Sequence, residues 1–213
     1  MNITTIDFDI VMEPNIEAYN NIVPGVDWEA LDEVEIFKFL FPNLDIYYKL
    51  TNYILFSTSF LKKEQIHIIH SHDTAVKFIP EDLNDGEKIN IVNIDHHHDL
   101  GYDKEDVEEN CKVNKCSNWV KWLRENKNVG CYQWIKDKQS SRVDAMDLRI
   151  KQYLNIATNI EDINGMETIL PRPDVLVICL SEPWVPPAIR PLFFLWLDTL
   201  NKIYDTHFDF EDN

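Results

Sequence analysis

Two apolar segments constrain the fold of this chain more than any other feature. Lys88–Ile94 is an apolar-rich segment, and in Asp174–Leu180 every residue after Asp174 is apolar. Such runs are typical of strands that are buried on both faces of a parallel sheet. Shorter patterns predict further strands at Thr4–Val11, Gln65–His70 and Cys131–Ile135. A sheet with this composition needs helices on both of its faces.

Helical patterns alternate with these strands. They are predicted at Trp28–Leu40, Leu44–Leu61, Asp73–Ile79, Ser117–Asn126 and Pro187–Tyr204. This alternation favours an α/β fold, a three-layer sandwich with a mainly parallel central sheet. A length of 213 residues fits a single domain over 1–213. The pattern at Val143–Ile169 is ambiguous, and the acidic tail Asp205–Asn213 is expected to fray.

The charge of the chain excludes some classes of partner. Twenty basic residues stand against 37 acidic ones, which gives a net charge of −17. This balance argues against binding to nucleic acid or to an anionic membrane, because both carry negative charge. It is compatible with a cationic substrate, with high solubility, or with an acidic surface that mimics nucleic acid.

The start of the chain and its cysteines predict a cytoplasmic protein. Met1–Ile10 contains acidic residues and lacks the basic region of a signal peptide. No apolar run reaches the roughly 18 residues of a membrane span. The four cysteines are therefore expected to be reduced thiols. Cys111, Cys116 and Cys131 could suggest a structural zinc site, but the sequence offers no obvious fourth ligand.

A cluster of histidine and aspartate directly follows the first of the two apolar segments. The sequence from Asp95 to Asp99 is Asp-His-His-His-Asp. It lies at the carboxyl end of a predicted parallel strand, where α/β proteins bind their ligands. In an extended chain Asp95, His97 and Asp99 would point the same way, while His96 and His98 would point elsewhere. Carboxylate and imidazole together are ligands for Mn²⁺, Fe²⁺ or Zn²⁺.

Two other strands end in residues of the same chemistry. Asp7 and Asp9 are predicted to share one face at the end of the first strand, where two like charges are costly unless a cation neutralises them. His72 follows the second strand and is the preferred ligand there, with His70 as the alternative. His67 is interpreted as a polar residue at the start of that strand.

Glu182 follows the last apolar strand and is the fourth candidate. Its carboxylate could accept hydrogen bonds from a guanidinium group, whose planar fork suits bidentate pairing. The alternative is that Glu182 places a negative charge near the N-terminus of the next helix.

The order of these motifs resembles the peptide arginase family, compact members of the arginase–deacetylase superfamily. The resemblance covers Ile3–Ile10, Ile68–Phe78, Ile91–Gly101, Ser117–Leu123 and Asp174–Pro187. The Asp-x-His-x-Asp motif carries most of its specificity. The chain departs from ordinary arginases because it is shorter and because its paired aspartates come first in the chain.

The resemblance implies a site for two Mn²⁺ ions, with Zn²⁺ or Fe²⁺ as alternatives. In this site His72 would hold one ion and His97 the other, and Asp95 would bridge them. The remaining ligands would be Asp99, which completes the first ion, with Asp7 and Asp9. These six residues are the predicted metal ligands of the chain.

The resemblance also implies hydrolysis of a guanidinium group to ornithine and urea, by hydroxide shared between the two ions. The substrate would be arginine in a peptide or protein, or a small guanidino compound. Asp95, His98 and Glu182 are the candidate catalytic residues, and the proton donor would be His98, His70 or Asp103. A related metal-dependent amidohydrolase or deacetylase remains open. So does a non-catalytic acidic metal-binding protein that engages a protein partner.

Overall fold

A six-stranded parallel sheet forms the centre of the molecule. The computed structural model describes residues 1–14, 40–80, 86–102, 114–140, 142–182 and 184–211. Its strands are β1 (Asn2–Asp7), β2 (Met12–Pro14), β3 (Leu40–Pro42), β4 (Ile66–Ile69), β5 (Ile89–Ile94), β6 (Val129–Lys136), β7 (Ile156–Asn159) and β8 (Val175–Cys179). The order in the large sheet is β4-β8-β1-β5-β6-β7, and every neighbouring pair is parallel. The short strands β2 and β3 form a separate antiparallel pair. The prediction of an α/β fold is confirmed.

Helices cover the sheet. The α-helices are α1 (Leu44–Thr58), α2 (Trp119–Asn126), α3 (Leu148–Lys151), α4 (Met166–Ile169) and α5 (Arg190–Tyr204). The 3-10 helices are Phe8–Val11, Lys63–Gln65, His72–Phe78, Val143–Ala145 and Ile160–Asp162. The side chain of Asn43 caps α1 by accepting a hydrogen bond from the Ile46 amide, and Pro191 occupies the first turn of α5.

The side chains of β8 show why both faces of the sheet are apolar. Leu176 and Ile178 belong to a core that includes residues of α1 and α5. Val175, Val177 and Cys179 belong to a second core, with residues of α2 and of the 3-10 helix after β4. All five side chains are buried. A strand with a core on each side has no polar face, which explains the continuous apolar run.

An aromatic cluster holds the turn that follows β1. Phe8 lies edge-on to Phe193 and Trp196 of α5, with ring centroids 5.4 and 5.1 Å away. Trp196 in turn stacks on Tyr47 of α1 at 5.2 Å. Because Phe8 lies between Asp7 and Asp9, this packing holds the backbone that carries both carboxylates.

Some predicted boundaries are wrong. The first strand ends at Asp7 rather than Val11, because the chain turns there into a 3-10 helix capped by the Asp7 side chain. The predicted helix Asp73–Ile79 is a 3-10 helix that begins at His72, with Ser71 as its N-cap. The predicted helix Trp28–Leu40 lies outside the described residues except for Leu40, which belongs to β3. The ambiguous segment Val143–Ile169 contains β7, α3 and α4.

The C-terminal tail does not fray through residue 211, contrary to the prediction. Phe208 is buried in the core beneath α5. Phe210 forms a parallel bridge with Ile68, and the Glu211 amide donates a hydrogen bond of 2.8 Å to the Ile68 carbonyl. β4 is an edge strand of the sheet, and the tail satisfies backbone groups that such an edge exposes. None of the helices in the described ranges is both long and apolar enough to cross a membrane.

We expect Phe208→Ala to lower the free energy of unfolding by about 3 kcal/mol, because it empties a buried position in the larger core. The matched control is Phe194→Ala on α5, where the ring is 44% exposed, and we expect it to cost less than about 1 kcal/mol. Urea denaturation of both variants measures the difference. Equal, small effects would show that the tail is not part of the folded core.

Candidate functional site

Four neighbouring strands end at one place on the sheet. Asp7 is the last residue of β1, and it pairs in register with Cys179, the last residue of β8. Asp95 follows β5, and His72 begins the 3-10 helix after β4. These strands are adjacent in the order β4-β8-β1-β5, and parallel strands all end on the same edge. The polar residues that follow them are therefore brought together at the carboxyl edge of the sheet.

The buried His72 ring faces three carboxylates at once. Its Nδ1 lies 3.0 Å from Asp99 Oδ2, 3.1 Å from Asp95 Oδ2 and 3.3 Å from Asp7 Oδ2. One ring nitrogen carries at most one proton and cannot satisfy three anions. Ligand atoms about 2.1 Å from a cation lie about 3.0 Å apart in octahedral geometry, which is close to these distances. The spacing suits a cation better than a single proton.

A second histidine lies on the other side of Asp95. His97 Nδ1 is 2.8 Å from Asp9 Oδ2 and 3.7 Å from Asp95 Oδ1. The two oxygens of Asp95 thus face two different imidazole rings. Asp95 therefore belongs to two of the candidate groups for a metal ion described below.

Three groups of side chains in this region could hold a metal ion. In each group the candidate ligand atoms lie within 4.8 Å of one another. The groups are Asp7, His72 and Cys179; Asp9, Asp95 and His97; and His72, Asp95 and Asp99. Each of the six predicted ligands lies in at least one group. Buried Asp and His clusters thus provide a plausible metal site at this edge.

Neighbouring donors orient the carboxylates. Asn93 Nδ2 donates to Asp95 Oδ2 at 3.1 Å, and its own carbonyl accepts from Thr5 at 2.6 Å. Trp119 Nε1 donates to Asp99 Oδ2 at 2.5 Å. The Ser181 hydroxyl donates to Asp7 Oδ2. Such outer contacts hold metal ligands in place in known metal sites.

The backbone of the site is bent rather than extended. The chain leaves the sheet after Ile94 and bends from Asp95 onward, so the expectation of an extended segment is wrong. Asp99 has φ of 51° and Ser181 has φ of 53°, in the left-handed region that most residues avoid. The ligands therefore converge through a turn. Unfavourable backbone angles of this kind concentrate at functional sites.

The carboxylates perturb one another strongly. Burial raises the pKa of Asp7 well above its usual range, and the charge of Asp9 adds to this. Burial and the charge of Asp95 raise the pKa of Asp99 to about 7. Burial also opposes ionisation of Asp95, but hydrogen bonds from His72 and His97 hold its pKa well below the usual range.

The neighbouring carboxylates raise the pKa values of the two histidines. Burial alone would lower the pKa of His72, but interactions with Cys179 and Asp7 and hydrogen bonds to Asp95 and Asp99 raise it well above the usual value. For His97, burial is likewise outweighed, chiefly by Asp9. Both rings therefore hold protons when no metal compensates the carboxylates.

His98 is unsuited to donate a proton. Burial and the nearby His97 lower the pKa of His98 to about 4, so its ring is neutral at pH 7. Its Nδ1 accepts a hydrogen bond of 3.1 Å from the Leu100 amide, and the ring stacks on Tyr102 with centroids 4.2 Å apart. Asp103, another candidate donor, lies outside the described residues.

Glu182 and His70 lie beside the cluster rather than in it. Glu182 Oε1 accepts a hydrogen bond of 3.1 Å from Arg190, the first residue of α5. The carboxylate predicted to bind a substrate guanidinium thus already binds one from its own chain. His70 Nδ1 lies 3.6 Å from Glu182 Oε2, and its ring stacks on Phe210. The structure brings His72, and not His70, into the metal-binding groups.

Sequence reasoning missed several residues of the site. The sequence marks Cys179 only as a residue of an apolar strand. Its position beside Asp7 follows from the register between β8 and β1, which the sequence does not reveal. Asp137 lies 2.6 Å from His96 Nδ1, and its other oxygen caps the amides of Gln139 and Ser140. No local motif marked it.

The cysteine alternative has no support in the described part of the chain. Cys111 lies outside the described residues. Neither Cys116 nor Cys131 belongs to any of the three metal-binding groups found there.

Comparison of the chain with protein-family models, curated proteins and solved structures finds no match. The geometry of the site is therefore the basis for a functional proposal.

We expect the metal-free protein to lose stability as the pH rises from 6 to 8. The folded pKa values of Asp99, His72 and His97 are raised above unfolded values of about 4 and about 6.5. Their stabilising protonation is complete below the unfolded values and is lost as the pH rises through the folded ones. Asp95, with its lowered pKa, is ionised throughout this range.

Thermal melts in chelator should therefore show a midpoint that falls by about 3 °C or more over this interval. A divalent cation should reverse the trend, because it binds the deprotonated ligands. A midpoint independent of pH in chelator would contradict the coupling among these groups.

Proposed function

We propose that this protein is a metal-dependent hydrolase whose site binds two divalent cations, one beside His72 and one beside His97. The observation that supports this best is the position of Asp95. Its Oδ2 lies 3.1 Å from His72 Nδ1, and its Oδ1 lies 3.7 Å from His97 Nδ1. A single buried carboxylate between two imidazoles, each flanked by another aspartate, suits a pair of ions that share a ligand.

The donor set fits such ions. Asp7 and Asp99 accompany His72, and Asp9 accompanies His97. His72 presents the same ring nitrogen, Nδ1, to all three of its neighbouring carboxylates, so an ion between them would be bound by Nδ1. Imidazole and carboxylate suit Mn²⁺, Fe²⁺ or Zn²⁺. Two such ions, when bound, would make hydroxide available near neutral pH.

The favoured substrate is a cation with a scissile C–N bond, namely the guanidinium group of arginine in a peptide. The net charge of −17 attracts cations to the surface. The ring of Trp184 lies 4.9 Å from that of His97, and Tyr102 lies 5.9 Å away on an exposed position. Planar cations stack on aromatic rings of this kind. We assign guanidinium recognition to these rings rather than to Glu182.

A metal-dependent amidohydrolase acting on an acylated amine is the second candidate. It is favoured by the pairing of Glu182 with Arg190, which occupies the carboxylate that would otherwise select a guanidinium group. An acylated amine needs no such carboxylate, since it carries no charge.

Asp95→Asn and His97→Ala are expected to reduce the bound metal from about two ions per chain to one or none. Each removes a ligand, and the first removes the shared one. Elemental analysis of protein purified without chelator and supplied with Mn²⁺ measures this. The control is Asp198→Asn on an exposed position of α5, which should retain both ions. Full stoichiometry in both site variants would refute the assignment of ligands.

Arginine-containing peptides are expected to release urea in the presence of Mn²⁺, and chelator should abolish the release. Trp184→Ala should raise KM by roughly fivefold with a smaller change in kcat, because a stacking contact contributes about 1 kcal/mol. Peptides with acetylated lysine, assayed for acetate, separate the second candidate from the first. A protein that binds two ions and turns over neither substrate class would be a non-catalytic metal-binding protein.

A further inference from the structure

Cys179 distinguishes the two halves of the candidate site. It lies at the carboxyl end of β8, in register with Asp7 of β1 on one side and Ile69 of β4 on the other. Its side chain is fully buried. Its Sγ forms a group with a ligand nitrogen of His72 and a carboxylate oxygen of Asp7, all within 4.8 Å. The His97 half offers only oxygen and nitrogen in its group.

The His72 ring provides a second observation. Its side chain is 3% exposed, and its Nε2 has no hydrogen-bond partner among the described residues. A buried polar atom without a partner is costly, and native structures rarely leave one. Nδ1 is the nitrogen of this ring that lies 3.3 Å from Asp7 Oδ2, so Nε2 is the nitrogen that remains without a partner in the described part of the chain, in a place closed to solvent.

We propose that Cys179 is a metal ligand and that it makes the His72 half of the site selective for a thiophilic ion, Zn²⁺ in the cell. This inference rests on the proposed function, since it concerns one of the two ions proposed there. Thiolate is a soft ligand that favours Zn²⁺ over Mn²⁺, whereas carboxylate with imidazole accepts both. The two halves of the site would then hold different ions. Zn²⁺ would lie beside His72, and an ion that carboxylate and imidazole ligands accept, such as Mn²⁺, would lie beside His97.

A packing role for Cys179 is the competing interpretation. Its side chain also belongs to the core beneath α2, where a small apolar residue would fit. In that case the sulfur would stay a thiol after metal is added, and serine would replace it without changing the spectrum of a bound ion. The two interpretations therefore differ in whether sulfur contacts the metal.

Titration of the metal-free protein with Co²⁺ tests this. Co²⁺ replaces Zn²⁺ and gives a sulfur-to-cobalt charge-transfer band in the near ultraviolet only when a thiolate is bound. We expect this band in the natural protein and its complete loss in Cys179→Ser. Asp9→Asn, which alters the other half of the site, should keep the band.

A combined variant, Cys111→Ser, Cys116→Ser and Cys131→Ser, leaves Cys179 as the only thiol and does not disturb its strand. The band should persist at full intensity in this variant, so the test stands even if Cys179→Ser does not fold. Loss of the band in the combined variant would overturn the proposal.

The outcomes separate this inference from the proposed function. Binding of two Co²⁺ ions without a charge-transfer band would overturn the role of Cys179 and leave the two-ion site in place. Failure to bind any Co²⁺, Zn²⁺ or Mn²⁺ would overturn both. A band that persists in a folded Cys179→Ser variant would assign the sulfur contact to another cysteine and likewise overturn the proposal.

Discussion

Repulsion among buried carboxylates is the constraint around which this molecule is organised. Asp7, Asp9, Asp95 and Asp99 are all at most 3% exposed, and among the described residues His72 and His97 are the two histidines that share candidate metal groups with them. Their negative charges cannot be left uncompensated away from water. Burial and the neighbouring carboxylates raise the pKa values of Asp7 and Asp99, so protons would compensate part of this charge when no cation is bound. The two hydrophobic cores keep the strand ends in place while that repulsion acts on them.

Much of the sheet could be predicted, because strands buried on both faces leave a direct trace in the sequence. All five residues of β8 are apolar, whereas β5 carries two asparagines among its apolar residues, and Asn93 is one of its buried positions. The residue types of the site were also visible, because His and Asp directly after such strands have few structural uses. The predictions are wrong for short elements, namely the 3-10 helices after β1 and β4. These helices depend on local capping and packing, which the periodicity of apolar residues does not predict.

What the sequence could not provide is the register between strands that are far apart in the chain. Cys179 and Asp7 are neighbours only because β8 lies between β4 and β1. The pairing of Glu182 with Arg190 likewise depends on the turn between them, which places the first residue of α5 beside Glu182, and the sequence does not predict the path of this turn. The acidic composition of the C-terminal tail predicts that it is exposed. The tail is ordered instead because β4, an edge strand, offers it unpaired backbone groups, and this contact is also far apart in the sequence.

The position of β8 also governs when the site can form as the chain is made. β1 has β8 as one of its two neighbours, and β8 follows the other five strands of the sheet in the sequence. Until residues 175–179 leave the ribosome, β1 and β4 have no contact through the sheet, and His72 is not held beside Asp7. Contacts over such long separations make folding slow. The group of Asp7, His72 and Cys179 therefore cannot form on a nascent chain before β8 has been made, whereas Asp9, Asp95 and His97 follow strands β1 and β5, which pair directly.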